Sequence, residues 1–354
     1  MRAHMDEIKK ERLSRSVEAF VQNAGGIATG IATVETLAGG PPSADLSYVL
    51  PGARSAVVFA LPLDQEAIER YLAKKDFKSS NIDNRRVNSM ASGIALELAV
   101  YLRMKGHAAV PVSSNFFYRE DAPLGRLEEQ PDISHRYLAV RSGIGHFGLS
   151  GNVIRKPEGA AIILGSTVTT ADLIPTDPLP AEDNYCDRCK LCQASCASGF
   201  MSDEEDATVT LGGVNFTYAK RRAHERCDYV CGGFTGLHRS GRWSTWSPAR
   251  FPIPDNDEDF GPALMAAAGP YIARPKSGVG FFHAMMPRDR GEFTCGHCQY
   301  ICHPDVPVRK RRYRMIVKSG VVIQREDGAL DAVSPDQAKA HIASLSPELR
   351  ALYE

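Results

Sequence analysis

Cys186, Cys189, Cys192 and Cys196 are spaced C-x2-C-x2-C-x3-C, a rhythm at which thiolates hold iron. Three cysteines at i, i+3 and i+6 wrap one cubane in a tight loop. A fourth, four residues on, starts a helix that carries its sulfur toward a second cube. Such a run calls for a second set, and Cys295, Cys298 and Cys302 supply it downstream, with Cys227 and Cys231 between. By the crossing rule for two-cluster proteins, Cys186, Cys189 and Cys192 share one [4Fe-4S] cluster with Cys302. Cys196, Cys295 and Cys298 then share the other with Cys227 or Cys231. Structural zinc is the competing reading, since C-x2-C pairs also make tetrahedral sites and His297 and His303 stand beside the second group. Four thiolates within eleven residues suit cubanes better than one ion.

Two further stretches carry chemistry. Tyr118-Arg119-Glu120-Asp121-Ala122-Pro123 follows Phe116 and Phe117. Its carboxyls read first as solvated turn residues. Beside a reducing centre, however, a buried carboxylic acid delivers the proton that accompanies electrons into a substrate. Gly143-Ile144-Gly145-His146-Phe147-Gly148 matches G-x-G-x-x-G. A dinucleotide site also needs a helix beginning at the loop, and Gly151, Asn152 and Pro157 prevent one. The glycines therefore mark a close approach of backbone to another bulky cofactor, or a tight turn. His107, His135, His146, His224, His238 and His283 share no ligand spacing and read as structural. The basic run Arg309 to Arg312, with Arg314, is a candidate docking patch for an acidic partner.

The elements that must position these residues belong to an ordinary globular chain of 354 residues, one to three domains by length. Lysine plus arginine and aspartate plus glutamate both number 42, so no global attraction to nucleic acid or anionic membrane is implied. The charged start, with Asp6, Glu7, Lys9, Lys10, Glu11 and Arg12, is neither a secretory signal nor a membrane span. A cytoplasmic protein is expected, whose grouped cysteines hold metal rather than disulfides. Residues 5–24 read as an amphipathic helix. Ser55–Leu61 reads as a strand buried on both faces, and Met90 to Leu102 as a helix stopped by Gly106. Strands follow at 108–112, 137–140 and 161–169. Pro175, Pro178 and Pro180 mark a boundary before the cysteines. Residues 232–294 read as an irregular insertion, 317–323 as a strand, and 335–353 as a helix capped by Ser334; no internal repeat is evident.

Several of these residues together resemble a known family. Leu50-Pro51-Gly52-Ala53-Arg54-Ser55 before a strand, Asp121-Ala122-Pro123, the Arg141–Gly148 loop and both cysteine groups occur in the order found in epoxyqueuosine reductase. That enzyme belongs with the respiratory reductive dehalogenases among cobalamin-dependent iron-sulfur reductases, and the likeness runs from about residue 45 to 305. The resemblance implies an α/β (α+β) fold. A nitroreductase-like cobalamin-binding domain (1–175) would be followed by a ferredoxin-like domain with two [4Fe-4S] clusters (176–310, insertion 232–294) and a packing tail (311–354). It implies that Arg141, Ser142, Gly143, Gly145, His146, Phe147, Gly148, Gly151 and Asn152 border the corrin. Asp121, Glu120 or Tyr118 would supply a proton, Asp121 preferred although the serine usual in this motif is missing. The lone mid-chain cysteine of these enzymes favours Cys227 as the eighth cluster ligand.

The expected activity is reductive cleavage of a carbon-heteroatom bond in a small molecule, fed by an external low-potential electron donor. The stretch between Pro123 and Arg141 and the 232–294 insertion are longer than in epoxyqueuosine reductase, so the substrate face is remodelled. A tRNA substrate is not expected, because the tail lacks helical repeats, and the absence of a twin-arginine signal argues against export. Two other classes compete. One is an electron-transfer protein that reduces the corrinoid of a partner methyltransferase, docking through 309–314. The other is a zinc-stabilised binding module.

Overall fold

The computed structural model describes residues 2–112, 118–122, 130–275 and 292–354. Phe116, Phe117, Pro123 and part of the 232–294 insertion lie outside the described residues. The charged start forms α1 (Arg2–Asn23), which buries Val17 and Val21 before Gly25 turns the chain with φ +97°. Strand β1 (Ala28–Thr33), β2 (Ser55–Pro62), α2 (Gln65–Leu72), α3 (Lys78–Met104) and β3 (Ala109–Val112) follow. Next come α4 (His135–Arg141), β4 (His146–Phe147), β5 (Val153–Ile154) and β6 (Ile162–Thr169). The cysteine half holds α5 (Leu191–Ala194), β7 (Met201–Leu211), β8 (Val214–Arg221), α6 (Glu225–Cys231), α7 (Phe260–Ala273) and α8 (His297–Tyr300). The chain closes with α9 (Val306–Lys318), β9 (Val321–Gln324), β10 (Leu330–Val333), α10 (Pro335–Ser344) and α11 (Pro347–Arg350).

These elements sort into two compact units that interleave along the chain. The first takes Met1–Leu63, Arg86–Arg188 and Asp206–Tyr218; the second takes Asp64–Arg85, Cys189–Glu205 and Ala219–Glu354.

The first unit is a mixed α/β layer built on an antiparallel sheet of order β1-β2-β6-β3. Its second strand is apolar on both faces, because helices cover both. Ala56, Val58 and Ala60 face one way into a core with Leu138 and Ala139 of α4. Phe59 points the other way, toward Gly165 and Ala91 of α3, where a side chain on Gly165 would strike the phenyl ring at 2.5 Å. Each fully buried side chain of this kind contributes about 1.5–3 kcal/mol, so the sheet is the anchor of this unit.

In the second unit α2 packs against α8 and α9, and α5 against α8 and α9. Helix α2 starts at Asp64, whose carboxylate accepts the Glu66 and Ala67 N–H groups. Ser334 and Gln337 form a full capping box on α10, so the expected cap is present. The helix it starts is shorter than expected, since Ser346-Pro347 restarts the chain as α11.

Other expectations are corrected. Residues 137–140 are helical, not a strand. Ser134 caps the turn by accepting the Tyr137 N–H, and a short apolar run buried against a sheet satisfies either period. Within 317–323 only residues 321–323 are strand, because α9 runs through Lys318. The insertion is not simply irregular: α7 lies in it, with Phe260 and Ala267 buried beside Tyr229 and Phe234. The basic run is divided: Arg309 and Arg312 are 4% and 1% exposed and Arg311 ion-pairs with Glu69 at 2.5 Å, while Lys310, Arg311 and Arg314 stay exposed.

A local repeat does exist. Lys190 (φ +59°) and Gly296 (φ +93°) each follow the first cysteine of a C-x2-C pair, and each opens a four-residue helix, α5 or α8. Cys189, Cys192 and Cys196 thus correspond to Cys295, Cys298 and Cys302.

Candidate functional site

In the first unit the described ends of the acidic stretch close on each other. Tyr118 bridges Pro131 in antiparallel fashion, and the Arg119 N–H donates to the Gln130 carbonyl at 2.9 Å. Arg119 is 4% exposed and lies over the Tyr48 ring at 3.8 Å. Its guanidinium grips Asp121 with two hydrogen bonds, Nε to Oδ1 at 2.8 Å and Nη2 to Oδ2 at 2.6 Å. That fork holds the exposed Asp121 carboxyl below its ordinary range. Glu120 is exposed, and its N–H donates to the Tyr48 hydroxyl at 3.2 Å. Asp132 behaves in the opposite way. Burial pushes its carboxyl up, against a smaller lowering by Arg119 and with help from Asp121 and Glu120. Among these carboxyls, the one whose surroundings favour a proton is therefore Asp132. Sequence reasoning passed over it because Pro131-Asp132 reads as a turn.

The glycine loop is shaped largely by its own chain. A Cβ on Gly143 would come 2.5 Å from the Asp177 carbonyl oxygen, and one on Gly145 would come 2.4 Å from that of Ile154. Gly148 packs on the Ile154 side chain, and its N–H donates to the Asn152 carbonyl at 2.9 Å. Gly151 turns the chain with φ +71°. Ser142 Oγ donates to the Leu138 carbonyl at 2.7 Å, while its own carbonyl accepts the Thr176 hydroxyl at 2.7 Å. Phe147 is buried among Tyr137, Phe216 and Tyr218. Arg141 and His146 are left with unmet capacity. Arg141 is 8% exposed, yet its Nε and Nη1 have no hydrogen-bond partner among the described residues. His146 Nε2 is buried without one, and burial pushes the imidazole down toward its neutral form.

The same loop reaches the first cysteine. The Leu149 N–H points at Cys186 Sγ at 3.3 Å. Asn184 ties the two together, donating to the Phe147 carbonyl at 3.2 Å and accepting the Cys186 N–H at 3.0 Å. The signal for Asn184 was local: an Asn two residues before an N–H that it accepts is an Asx turn. Such N–H groups at a cysteine sulfur favour the thiolate and help set the potential of a cluster.

In the second unit five cysteines converge. Cys298 feels Cys227, Cys196 and Cys295, and Cys196 feels Cys295 and Cys227. Burial pushes Cys298 and Cys196 up. Cys231 hydrogen-bonds both Cys227 and Cys295, drawing Cys295 down with further help from His297. The Phe200 N–H donates to Cys196 Sγ at 3.3 Å, matching the contact at Cys186. Cys227 and Cys231 share one face of α6 at i, i+4. Cys302 lies close enough to the buried Arg312 to affect it. Cys189 is exposed, and Cys192 begins the second residue of α5. Among the described residues no group of three or more His, Cys, Asp or Glu closes to single-ion geometry. Four thiolates at the corners of a cubane stand farther apart than ligands of one ion.

Tyr71 braces this pocket. Its hydroxyl lies 2.9 Å from the Cys295 carbonyl and 2.8 Å from that of Phe293. Its own carbonyl accepts the Trp246 indole N–H at 3.0 Å. Among the described residues no helix is long and apolar enough to cross a membrane.

Comparison with known proteins points the same way as the residues. No protein-family profile matches the chain. An epoxyqueuosine reductase of Gloeobacter violaceus is 26% identical over 193 residues, 52% of this chain and 52% of that protein. A tetrachloroethene reductive dehalogenase of Desulfitobacterium hafniense is 27% identical over 157 residues, 44% of this chain and 25% of that protein. The chain thus spans about half the length of the first relative and a quarter of the second. Among solved structures, a catabolic reductive dehalogenase matches over 97% of this chain and 38% of its own, with TM-score 0.51 and 15% identity. The chain is similar in sequence to both groups of reductases, and the last match places its mixed α/β fold beside that of the dehalogenase.

Proposed function

We propose that this protein is an oxidoreductase in which two [4Fe-4S] clusters and cobalamin serve reductive cleavage of a carbon-heteroatom bond in a small molecule. The convergence of Cys196, Cys227, Cys295 and Cys298 carries this reading. They are the set that the crossing rule demands, apart from its choice between Cys227 and Cys231, and Cys196 and Cys298 both sense Cys227. Cys227 is thus the eighth ligand in this reading, and Cys231 a hydrogen-bonding neighbour. Cys186, Cys189, Cys192 and Cys302 hold the other cluster.

The residues present fit a corrinoid at the glycine loop. Its amide side chains would offer acceptors to Arg141 Nε and Nη1, which have no partner among the described residues and would each cost about 1–3 kcal/mol if left so. It offers a donor to neutral His146 Nε2. When bound, cobalamin supplies a strongly reducing metal centre for the bond cleavage. The chain does the rest. The Leu149 N–H, fixed by the glycine turn, holds the Cys186 sulfur against the loop, so the cluster nearer the substrate is the one Cys186 joins. Asp132, whose carboxyl burial pushes up, is the proton donor for the leaving group in this reading, while the Arg119 fork holds Asp121 down. The nitroreductase-like and ferredoxin-like divisions of the fold, the external low-potential donor and a cytoplasmic setting belong to the same proposal.

Anaerobic reconstitution with iron, sulfide and hydroxocobalamin tests it. Eight irons per chain and a cobalt electron-paramagnetic signal that responds to reductant are expected, and a chain that takes up iron yet binds no corrinoid sinks the enzyme reading.

A further inference from the structure

The second unit contains a cavity of about 680 Å3 that the cysteine chemistry does not use. The turn between α2 and α3 forms one side, with Lys74, Lys75, Phe77 and Lys78; Trp246 and Leu330 contribute to the other walls. Lys75 and Lys78 are exposed and enter no ion pair among the described residues. Lys74 is half-buried, and its ammonium hydrogen-bonds only the neutral Ser319 hydroxyl. The two carboxylates on the rim are already answered. Asp331 pairs with Arg325, and Asp76 caps α3 through the Lys78 and Ser79 N–H groups with Arg70 at 3.8 Å. Two exposed ammonium groups, Lys75 and Lys78, with the half-buried Lys74 amine beside them, therefore line a hollow whose two carboxylates already have partners.

The size and walls of the hollow suit a ligand better than a solvated surface. Lys74 (φ +52°) is the left-handed residue that closes α2, with the Lys75 N–H returning to the Arg70 carbonyl, and this helix end carries the lysines to the rim. The volume lies within the roughly 300–1,000 Å3 of small-molecule sites and far exceeds what a lone inorganic anion fills. Phe77, Trp246 and Leu330 give the walls apolar edges, suited to a body heavier than the charged group.

We propose that this cavity binds an organic phosphate of mononucleotide size. Its phosphate would lie on Lys74, Lys75 and Lys78, and its ring system against Phe77, Trp246 and Leu330. None of its lining residues is a cysteine, although Cys295 acts on Lys74 from beyond the wall.

Isothermal titration calorimetry on the full chain, as isolated and again after iron removal, tests it with flavin mononucleotide, adenosine monophosphate and inorganic phosphate. At least one nucleotide should saturate with a Kd below ~1 mM. Inorganic phosphate should bind at least tenfold more weakly. The double variant Lys75→Ala/Lys78→Ala, whose exposed positions leave folding intact, should weaken nucleotide binding on the order of tenfold or more. Absence of nucleotide saturation, equal affinity for inorganic phosphate, or an unchanged double variant would each overturn the assignment. Binding that survives iron removal separates this result from the fate of the cluster reading.

Discussion

Tyr71→Phe removes one oxygen from the brace behind Cys295, and the structure sets the size of the effect. The hydroxyl is shared between two carbonyls, at 2.8 Å from Phe293 O and 2.9 Å from Cys295 O. Phe293 O keeps a second donor, Asn81 Nδ2 at 3.3 Å, whereas the Cys295 carbonyl has no other donor in the described geometry. One buried acceptor is therefore stranded in a setting where Tyr71 itself is 2% exposed. That costs about 1–3 kcal/mol, and at ~2 kcal/mol the folded-to-unfolded ratio drops about thirtyfold. Urea unfolding of the iron-free chain should show the midpoint move down with an unchanged slope. Because burial keeps the phenol protonated far above its ordinary range, the loss should be the same at pH 6 and pH 9. Asn81→Ala removes the second donor to Phe293 O together with the acceptor of the Phe293 N–H, so its effect should couple to that of Tyr71→Phe rather than simply add. A midpoint that does not move in Tyr71→Phe, or strict additivity in the pair, would refute the bracing role.

Three further outcomes are expected. After anaerobic reconstitution, Cys227→Ser should halve the iron bound to about four per chain, while Cys231→Ser should retain both clusters; the reverse pattern would exchange their roles. Asp132→Asn should lower turnover by ~10²–10⁴-fold, whereas Asp121→Asn should keep activity but move the falling limb of the pH–rate profile to lower pH. The sign follows because the donor must be protonated, and the substitution removes a neighbour that raises Asp132 while freeing Arg119 to lower it. Burial lowers the Lys74 ammonium from 10.5 to about 7. Between those values the unfolded chain carries a proton that the folded chain lacks, so stability should rise with pH across that window. Lys74→Met should flatten this rise, and an unchanged pH slope would show that Lys74 remains charged.

What could be read before the structure follows from how local each signal is. Ser55–Leu61 and 161–169 were visible because strands covered on both faces are continuously apolar. The cysteine spacing was visible because metal geometry writes itself into sequence. Hairpin β7–β8 was missed, although Gly212 and Gly213 sit at its turn, both with positive φ. Its strands keep a run of exposed acidic residues from Asp203 to Asp206, which no apolar alternation reveals. Asp132 and Arg141 were harder still. A carboxyl raised by burial and a guanidinium buried without a partner are properties of surroundings supplied by distant segments, so residue type alone says nothing of them. Two residues of the basic run departed in the opposite direction. Arg309 and Arg312 look like surface charge in one dimension, yet Arg312 gains the Tyr300 carbonyl and Gln65 Oε1 as partners only through the packing of α9 on α2.

The interleaving of the two units has a consequence for heredity. The chain passes from one unit to the other five times, at 63/64, 85/86, 188/189, 205/206 and 218/219. A single recombination break in the gene therefore delivers neither unit whole. A cut that kept all four strands of the first sheet together would take 64–85 from the second unit, and a cut at 188/189 would take 206–218 from the first. Neither unit can therefore be exchanged as a module by one crossover, since each is assembled from three separate stretches of chain.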